Sequence, residues 1–257
     1  MTRPALTGKI APSLRCATPM STPSRPTAPM HQLTLDVRPQ VPATLDNFVC
    51  GNNVALLAAV RRQLSAQDGS WLYIWGSAGC GRSHLLHAVV TECRAAGRDA
   101  VYLNTENSHE LQMRDDLLVA LDDVDQLDAE AQALLFRALI QARDAGGTLV
   151  LAGNAPPQHL ALREDVRTRI GQALIFEIQP LDDDAKGALL LQHAVARGIA
   201  LDADIVEYLL RHGRRDVHWL MSVLDDLDDA SLTQSRPVTL PLLREILRDE
   251  CEPGLPF

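Results

Sequence analysis

The sequence predicts an α/β fold in which a five-stranded parallel sheet carries helices on both faces and a small all-helical domain follows. Two observations lead to this prediction. Between Trp71 and residue 179, short, almost continuously apolar runs alternate with amphipathic stretches, which is typical of buried parallel strands joined by helices. After Pro180 no strand-like run follows, and the pattern is helical. We therefore predict an α/β domain at 41–180 and a helical domain at 181–257.

The composition limits the classes of protein to consider. A chain of 257 residues that is 46% hydrophobic is long and apolar enough for such a core. Its net charge of -9 argues against a broad nucleic-acid surface. No apolar run reaches the length of a membrane span, and the five cysteines form no C-x-x-C pair. A cytoplasmic protein without membrane contact is expected.

The first thirty residues differ from the rest because they are rich in Pro, Ser, Thr and Arg and lack an aliphatic pattern. We interpret residues 1–30 as a disordered tail, or as a segment that is not translated if the protein starts at Met30. The next segment, 31–40, contains QLTLDV at 32–37. One interpretation of its alternating Leu33 and Leu35 is a first β-strand, and a second interpretation is a binding peptide.

The elements follow in order along the chain. Strands are predicted at 71–75, 100–104, 117–123, 148–154 and 173–179. Two of the connecting stretches, 81–97 and 129–147, have apolar residues at helical spacing and end in glycine, a common helix terminator. Four helices are predicted in the second domain, at 182–197, 202–212, 215–230 and 239–249.

A glycine-rich loop joins the first predicted strand to the first helix. The stretch WGSAGCGRSHLL at 75–86 nearly matches the phosphate-binding pattern G-x-x-x-x-G-K-[ST], but Arg82 stands in place of the lysine. Such a loop points backbone N–H groups and a helix N-terminus at phosphate oxygens, whereas the alternative is an ordinary strand-to-helix turn. The predicted nucleotide-binding residues of this loop are Gly76, Ser77, Ala78, Gly79, Cys80, Gly81, Arg82, Ser83 and His84.

Arg82 bears on whether a bound nucleotide is hydrolysed. A guanidinium is a planar fork that can hold a diphosphate, but it is less suited than a compact ammonium to follow a transferring phosphoryl group. We therefore expect Arg82 to reduce the rate of hydrolysis more than the affinity for nucleotide. The alternative is that arginine replaces lysine with full activity.

Polar residues end the third and fourth predicted strands. Asp122 and Asp123 follow the third, where nucleotide hydrolases hold Mg²⁺; with Ser83 they are the predicted Mg²⁺ ligands, and Asp123 also stands where a base often activates water. Asn154 ends the fourth and could contact the γ-phosphate or the attacking water, because strand C-termini line the ligand crevice. An asparagine in a turn is the alternative.

These motifs, together with an arginine before the fifth strand and a helical lid, resemble the AAA+ ATPase family. Within it, the segments at 44–60, 81–89, 155–160 and 179–190 are similar to DnaA replication initiators, and more closely to the family of their short relatives, the Hda proteins. The resemblance covers 32–249 and includes the arginine in the phosphate loop. No counterpart of the DNA-reading domain of DnaA fits after Arg248, so sequence-specific DNA binding is not expected.

The resemblance implies a regulator of replication initiation. Such a protein binds an adenine nucleotide, ADP or ATP, with Mg²⁺, and we expect this chain to prefer ADP. It docks on the DNA-loaded sliding clamp, the β subunit of DNA polymerase III. There it stimulates hydrolysis of DnaA-bound ATP and prevents re-initiation, while its own ATPase is weak or absent. The family's clamp-binding motif corresponds to Gln32, Leu33, Leu35 and Val37. A homodimer or a mixed AAA+ assembly is expected.

Arg169 occupies the position of the family's arginine finger, which acts in trans on the nucleotide of a neighbouring subunit. The alternative is a surface arginine paired with Glu164 or Asp165. The sequence departs from the family at two places, and the first of them, at His218, favours holding a diphosphate over hydrolysis. His218 falls where the lid normally carries a sensor arginine, and the box before the fifth strand reads RIGQ at 169–172, without the usual Trp-Gly pair.

Two other functions remain open from the residues. One is an autonomous AAA+ ATPase of the DnaA, clamp-loader or helicase-loader type. The other is a DnaA-like adaptor that uses the fold as an interaction scaffold, with no role for the nucleotide.

Overall fold

The computed structural model describes residues 42–65, 70–214, 216–234 and 236–251. The segments 1–30 and 31–40, with the predicted clamp motif, lie outside these residues. The described elements are α1 (Val54–Ser65), β1 (Trp71–Trp75), α2 (Arg82–Ala95), β2 (Ala100–Leu103), β3 (Leu118–Leu121), α3 (Ala129–Ala145), β4 (Thr148–Gly153), α4 (Glu164–Ile170), β5 (Leu174–Glu177), α5 (Asp183–Arg197), α6 (Ala203–His212), α7 (Val217–Gln234) and α8 (Leu240–Cys251).

The five strands form one parallel sheet in the order β2-β3-β4-β1-β5. The predicted parallel sheet is therefore confirmed. Because all strands run the same way, the phosphate loop after β1, the two aspartates after β3 and Asn154 after β4 lie at the same edge of the sheet. The end strand β5 leaves Leu174 and Ile175 partly exposed, whereas β4 is buried along its whole length.

Helices cover both faces of the sheet, as predicted, and successive residues of β1 show why. Leu72 and Ile74 pack in one core cluster with the apolar residues of α1 and α2. Tyr73, between them, packs on the opposite face with residues of α3 and α4. This alternation follows from the period of two in a strand. Each fully buried leucine of these clusters stabilises the fold by roughly 1.5–3 kcal/mol relative to an exposed one.

Helices α5 to α8 form a third core cluster of their own. Its fully buried members include Leu190 of α5, Leu209 of α6, Leu224 of α7 and Leu243 of α8. An ion pair between Arg197 of α5 and Asp225 of α7 ties two of these helices together. The four predicted helices of this domain are confirmed. Among the described residues, no helix is long and apolar enough to cross a membrane.

Candidate functional site

The glycine-rich loop adopts a backbone that requires glycine at two positions. Gly79 and Gly81 have φ angles of 75° and 100°, in the left-handed region that other residues rarely adopt. The loop closes on itself through a hydrogen bond of 3.2 Å from the Cys80 N–H to the Ser77 carbonyl. Gly81 then precedes α2 directly, and no side chain caps this helix. The loop thus leaves the N-terminus of α2 open to an anion.

Arg82, the first residue of α2, is mostly buried, and only one of its two terminal nitrogens has a hydrogen-bond partner among the described residues. Its Nη2 lies 3.4 Å from Oδ1 of Asp123, and its side chain is 14% exposed. Its Nη1 is buried and has no hydrogen-bond partner among the residues that the structure describes. A buried cationic donor without a partner is costly. The Nη1 position therefore fits a bound anion, such as a phosphate oxygen, in contact with the loop.

Asp122 is held by hydrogen bonds from two groups. It is 1% exposed, its Oδ2 accepts from the Tyr102 hydroxyl at 3.1 Å, and its Oδ1 accepts from the Asp123 N–H at 2.9 Å. The Tyr102 ring stacks on that of His87. Burial, with Asp122 beside it, raises the pKa of Tyr102, so this hydroxyl keeps its proton and remains a donor.

Asp123 lies next to Asp122 in an unusual backbone conformation. Its φ and ψ are both 46°, the left-handed region, and its side chain is 34% exposed. Burial and the adjacent Asp122 raise the pKa of the Asp123 carboxyl, and Arg82 opposes this shift. Among the described residues no three His, Cys, Asp or Glu side chains form a metal site by themselves. Ser83, Asp122 and Asp123 supply oxygen donors, which suit Mg²⁺, an ion that usually binds one or two carboxylates together with substrate phosphates.

A cavity of about 150 Å³ lies beside the loop and is mostly apolar. It is lined by three separate stretches of chain: Asn47, Phe48 and Val49 before α1; Gly79, Cys80, Gly81 and His84 of the loop and α2; and Leu181, Leu189, His193, Val217 and Met221 around the lid. The side chains of Asn47 and His84 are 3.0 Å apart. Burial lowers the pKa of both His84 and His193, so both rings are largely neutral at pH 7. The cavity suits a flat, uncharged ring.

The lid contacts the loop through Asp216, immediately before α7. A Cβ placed on Gly79 would lie 2.5 Å from Oδ1 of Asp216, so the two residues are in close contact. The Asp216 carboxylate also accepts hydrogen bonds from the N–H groups of His218 and Trp219, at 3.2 and 3.4 Å. His218 is exposed in the first turn of α7. Asn154 is exposed after β4, and its N–H donates to Oδ1 of Asp125 at 3.0 Å.

Arg169 lies in the last turn of α4, at the other end of β1 from the loop. Its carbonyl accepts a hydrogen bond of 3.3 Å from Nε1 of Trp71, and its guanidinium carbon lies 5.5 Å from the centre of the Phe136 ring. Within the described part of the chain no ion pair of Arg169 is recorded, and Asp165 is paired with Arg163 instead. The guanidinium is therefore held by a ring and not by a carboxylate.

Sequence reasoning missed several residues of this site. Asp216 could have been identified as a residue preceding a helix, but its contact with Gly79 depends on how the lid sits on the core. Tyr102 and His193 carry no motif signal, and the Arg82–Asp123 pair joins positions 41 residues apart. A larger depression, of about 660 Å³, lies near Arg98 and Arg114, but both arginines are already paired with aspartates.

Comparisons with known proteins bear on both parts of the fold. The family model of the bacterial DnaA ATPase domain matches residues 40–114, and that of the Hda lid domain matches residues 183–247. Domain III of the Thermotoga maritima DnaA superposes with a TM-score of 0.71 at 20% identity, over 82% of this chain and 98% of that one.

Two further structures share the fold. DnaA of Aquifex aeolicus bound to AMPPCP is 21% identical, with a TM-score of 0.62 over 72% of this chain and 65% of that one. A RuvB protein of Thermotoga maritima is 15% identical, with a TM-score of 0.64 over 80% and 72%. At these identities the superpositions show the fold alone. The two family matches lie on either side of the boundary between sheet and lid, and together they support an Hda/DnaA-like AAA+ family for this chain.

Proposed function

We propose that this protein is an Hda-type regulator of replication initiation that acts in the cytoplasm. It holds an adenine nucleotide, docks on the DNA-loaded sliding clamp and stimulates hydrolysis of the ATP bound to DnaA, which prevents re-initiation. The observation that carries the proposal is the combination of a DnaA-type ATPase domain at 40–114 with an Hda-type lid at 183–247. Clamp docking is assigned to Gln32, Leu33, Leu35 and Val37 by the resemblance.

The nucleotide would bind across the loop and the apolar cavity. The base fits the cavity beside His84, and the phosphates fit the loop, where Nη1 of Arg82 is buried without a partner among the described residues. Mg²⁺ would be held by Ser83 and Asp122, with Asp123 beside them, and would neutralise phosphate charge. Two DnaA structures of this fold contain AMPPCP, which supports an adenine nucleotide. We propose that ADP is the preferred form.

Arg169 would act in trans as an arginine finger. An arginine supplied by a partner stabilises charge on the transferring phosphoryl group and increases the rate by about 10³–10⁵-fold. The guanidinium of Arg169 is partly exposed, rests on Phe136 and has no carboxylate partner among the described residues. It can therefore contact a phosphate without first breaking an ion pair. A protein that hydrolyses ATP poorly at its own site could in this way promote hydrolysis in DnaA.

The experiment follows loss of DnaA-bound ATP in the presence of clamp, DNA and the Arg169→Ala variant. We expect the variant to keep its nucleotide and clamp affinities, while DnaA-ATP hydrolysis falls to the unstimulated level. Arg167→Ala is the matched control, since Arg167 lies on the same short helix. A loss of stimulation in Arg167→Ala alone would move the finger to that residue, and normal stimulation by both variants would contradict a finger in trans.

The same assay tests clamp docking with a Gln32→Ala, Leu33→Ala double variant. We expect clamp binding and stimulation to be lost together, with an unchanged melting temperature. Wild-type clamp affinity in this variant would rule the motif out. An autonomous ATPase would instead turn over ATP steadily without DnaA or clamp, and a nucleotide-independent adaptor would stimulate DnaA equally well after its nucleotide is removed.

A further inference from the structure

We infer that Arg82 silences hydrolysis at the protein's own nucleotide site by holding Asp123, the carboxylate in the position of the base. The inference rests on the proposed nucleotide site and adds a positioning role for Arg82. The observation behind it is the direct contact between the two side chains, with Nη2 of Arg82 3.4 Å from Oδ1 of Asp123. The phosphate-binding motif has a lysine at this position. A lysine ammonium is a compact point charge and lacks the fixed planar donors with which a guanidinium can hold two acceptors.

The local backbone conformation fixes the positions of both Arg82 and Asp123. Arg82 is fixed as the first residue of α2, directly after Gly81 with its φ of 100°. Asp123 is fixed by a left-handed backbone and by the hydrogen bond from its N–H to Asp122. Such a conformation is costly for a residue other than glycine and persists only where the surroundings hold it in place. The carboxylate of Asp123 is thus presented to Arg82.

The guanidinium can hold Asp123 and a phosphate at the same time. Its donors have a fixed planar arrangement, and Nη1 is buried without a partner among the described residues while Nη2 faces Asp123. A phosphate oxygen at Nη1 would satisfy the free donor without displacing Asp123. Binding of nucleotide therefore does not release the carboxylate. A compact ammonium, without the forked donors of a guanidinium, would follow the phosphates and leave Asp123 free.

Holding Asp123 blocks a defined step. In hydrolysis the water oxygen forms a bond to the γ-phosphorus, the bond from that phosphorus to the β,γ-bridging oxygen breaks, and the base takes a proton from the water, giving ADP and phosphate. A carboxylate paired with Arg82 is poorly placed to accept that proton.

The test compares Arg82→Lys with the wild-type full-length protein in the absence of DnaA and clamp. Calorimetric titration measures affinity for ADP and for AMPPCP, and a single-turnover assay with Mg²⁺ measures ATP hydrolysis. We expect affinities within about threefold of wild type. The hydrolysis rate should rise about tenfold, since a positioned base contributes roughly 10²–10⁴-fold. Adding Asp123→Asn to Arg82→Lys should remove the gain.

A binding measurement tests the pair independently of hydrolysis. In the wild-type background, Asp123→Asn should tighten ADP binding because it frees Nη2 of Arg82. In the Arg82→Lys background, the same substitution should change ADP affinity by a factor about threefold smaller. An Arg82→Lys variant that binds AMPPCP but hydrolyses ATP at the wild-type rate would overturn the inference and leave the proposed function standing. Absence of ADP and AMPPCP binding by the wild-type protein would overturn both.

Discussion

Asp216 and His218 lie two residues apart at the start of α7, and we expect them to act in the same direction on a bound nucleotide. Asp216 brings a negative charge against Gly79 of the phosphate loop. His218 is exposed in the first turn of α7 and carries an imidazole at the position that the resemblance assigns to a sensor arginine. The Asp216 carboxylate repels phosphate charge, and the imidazole of His218 does not supply the attraction that an arginine would. We therefore expect ATP, which carries one more negative charge than ADP, to bind less tightly than ADP.

We expect the wild-type protein to bind ADP more tightly than ATP, and His218→Arg to improve ATP affinity about tenfold with little change for ADP. The size follows from one charge-assisted hydrogen bond, which contributes about 1.5–3 kcal/mol. Calorimetric titration with ADP and AMPPCP measures both values. His109→Arg adds the same charge on the exposed connection between β2 and β3 and should leave the ratio unchanged. Tighter AMPPCP than ADP binding by the wild type would contradict this prediction.

At the scale of elements, two lid helices begin with an aspartate in nearly the same backbone conformation, but only one aspartate caps its helix. Asp182, before α5, has φ −72° and ψ 174°, and its carboxylate accepts the Ala185 N–H at 2.8 Å. Asp202, before α6, has φ −74° and ψ 148° and makes no side-chain cap bond. Both carboxylates lie at a helix N-terminus, so the macrodipole acts on both.

Replacement of Asp182 with alanine should therefore lower the free energy of unfolding by about 1 kcal/mol, the usual effect of losing an N-cap. Asp202→Ala is the matched control and should cost less than about 0.5 kcal/mol, because it loses only the dipole interaction. Urea unfolding followed by circular dichroism measures both variants. Equal losses in the two variants would show that the hydrogen bond to Ala185 contributes nothing.

The limits of the elements show where local sequence fails to define structure. The third strand is predicted at 117–123 but spans Leu118–Leu121, because Asp122 turns its carboxylate to Tyr102 and Asp123 adopts a left-handed backbone. The third lid helix is predicted at 215–230 but spans Val217–Gln234. It starts later because Asp216 accepts the first N–H groups of the helix from outside it, and no glycine or proline ends it before Pro237.

At the scale of the whole molecule, what could be predicted depends on how many segments build a feature. The sheet and the glycine loop each follow from short, contiguous patterns, so the fold and the location of the loop follow from the sequence. The cavity beside the loop is assembled from chain near Asn47, the loop itself, α5 and α7. The contact of Asp216 with Gly79 likewise joins core and lid. Such features depend on tertiary packing, which no single motif encodes.

The contact between Asp216 and Gly79 has an optical consequence. Trp219 donates its backbone N–H to Asp216 and packs its ring over Gly213, and Trp75 ends the strand that leads into the loop. The third tryptophan, Trp71, is hydrogen-bonded to the carbonyl of Arg169. The chain thus carries one tryptophan beside Asp216, one at the end of the strand before the loop and one beside Arg169. We expect ADP binding to change the intrinsic tryptophan emission. Trp219→Phe should remove most of that change, whereas Trp71→Phe, the control, should leave it intact. An unaltered response in Trp219→Phe would mean that the lid does not respond to nucleotide binding at the loop.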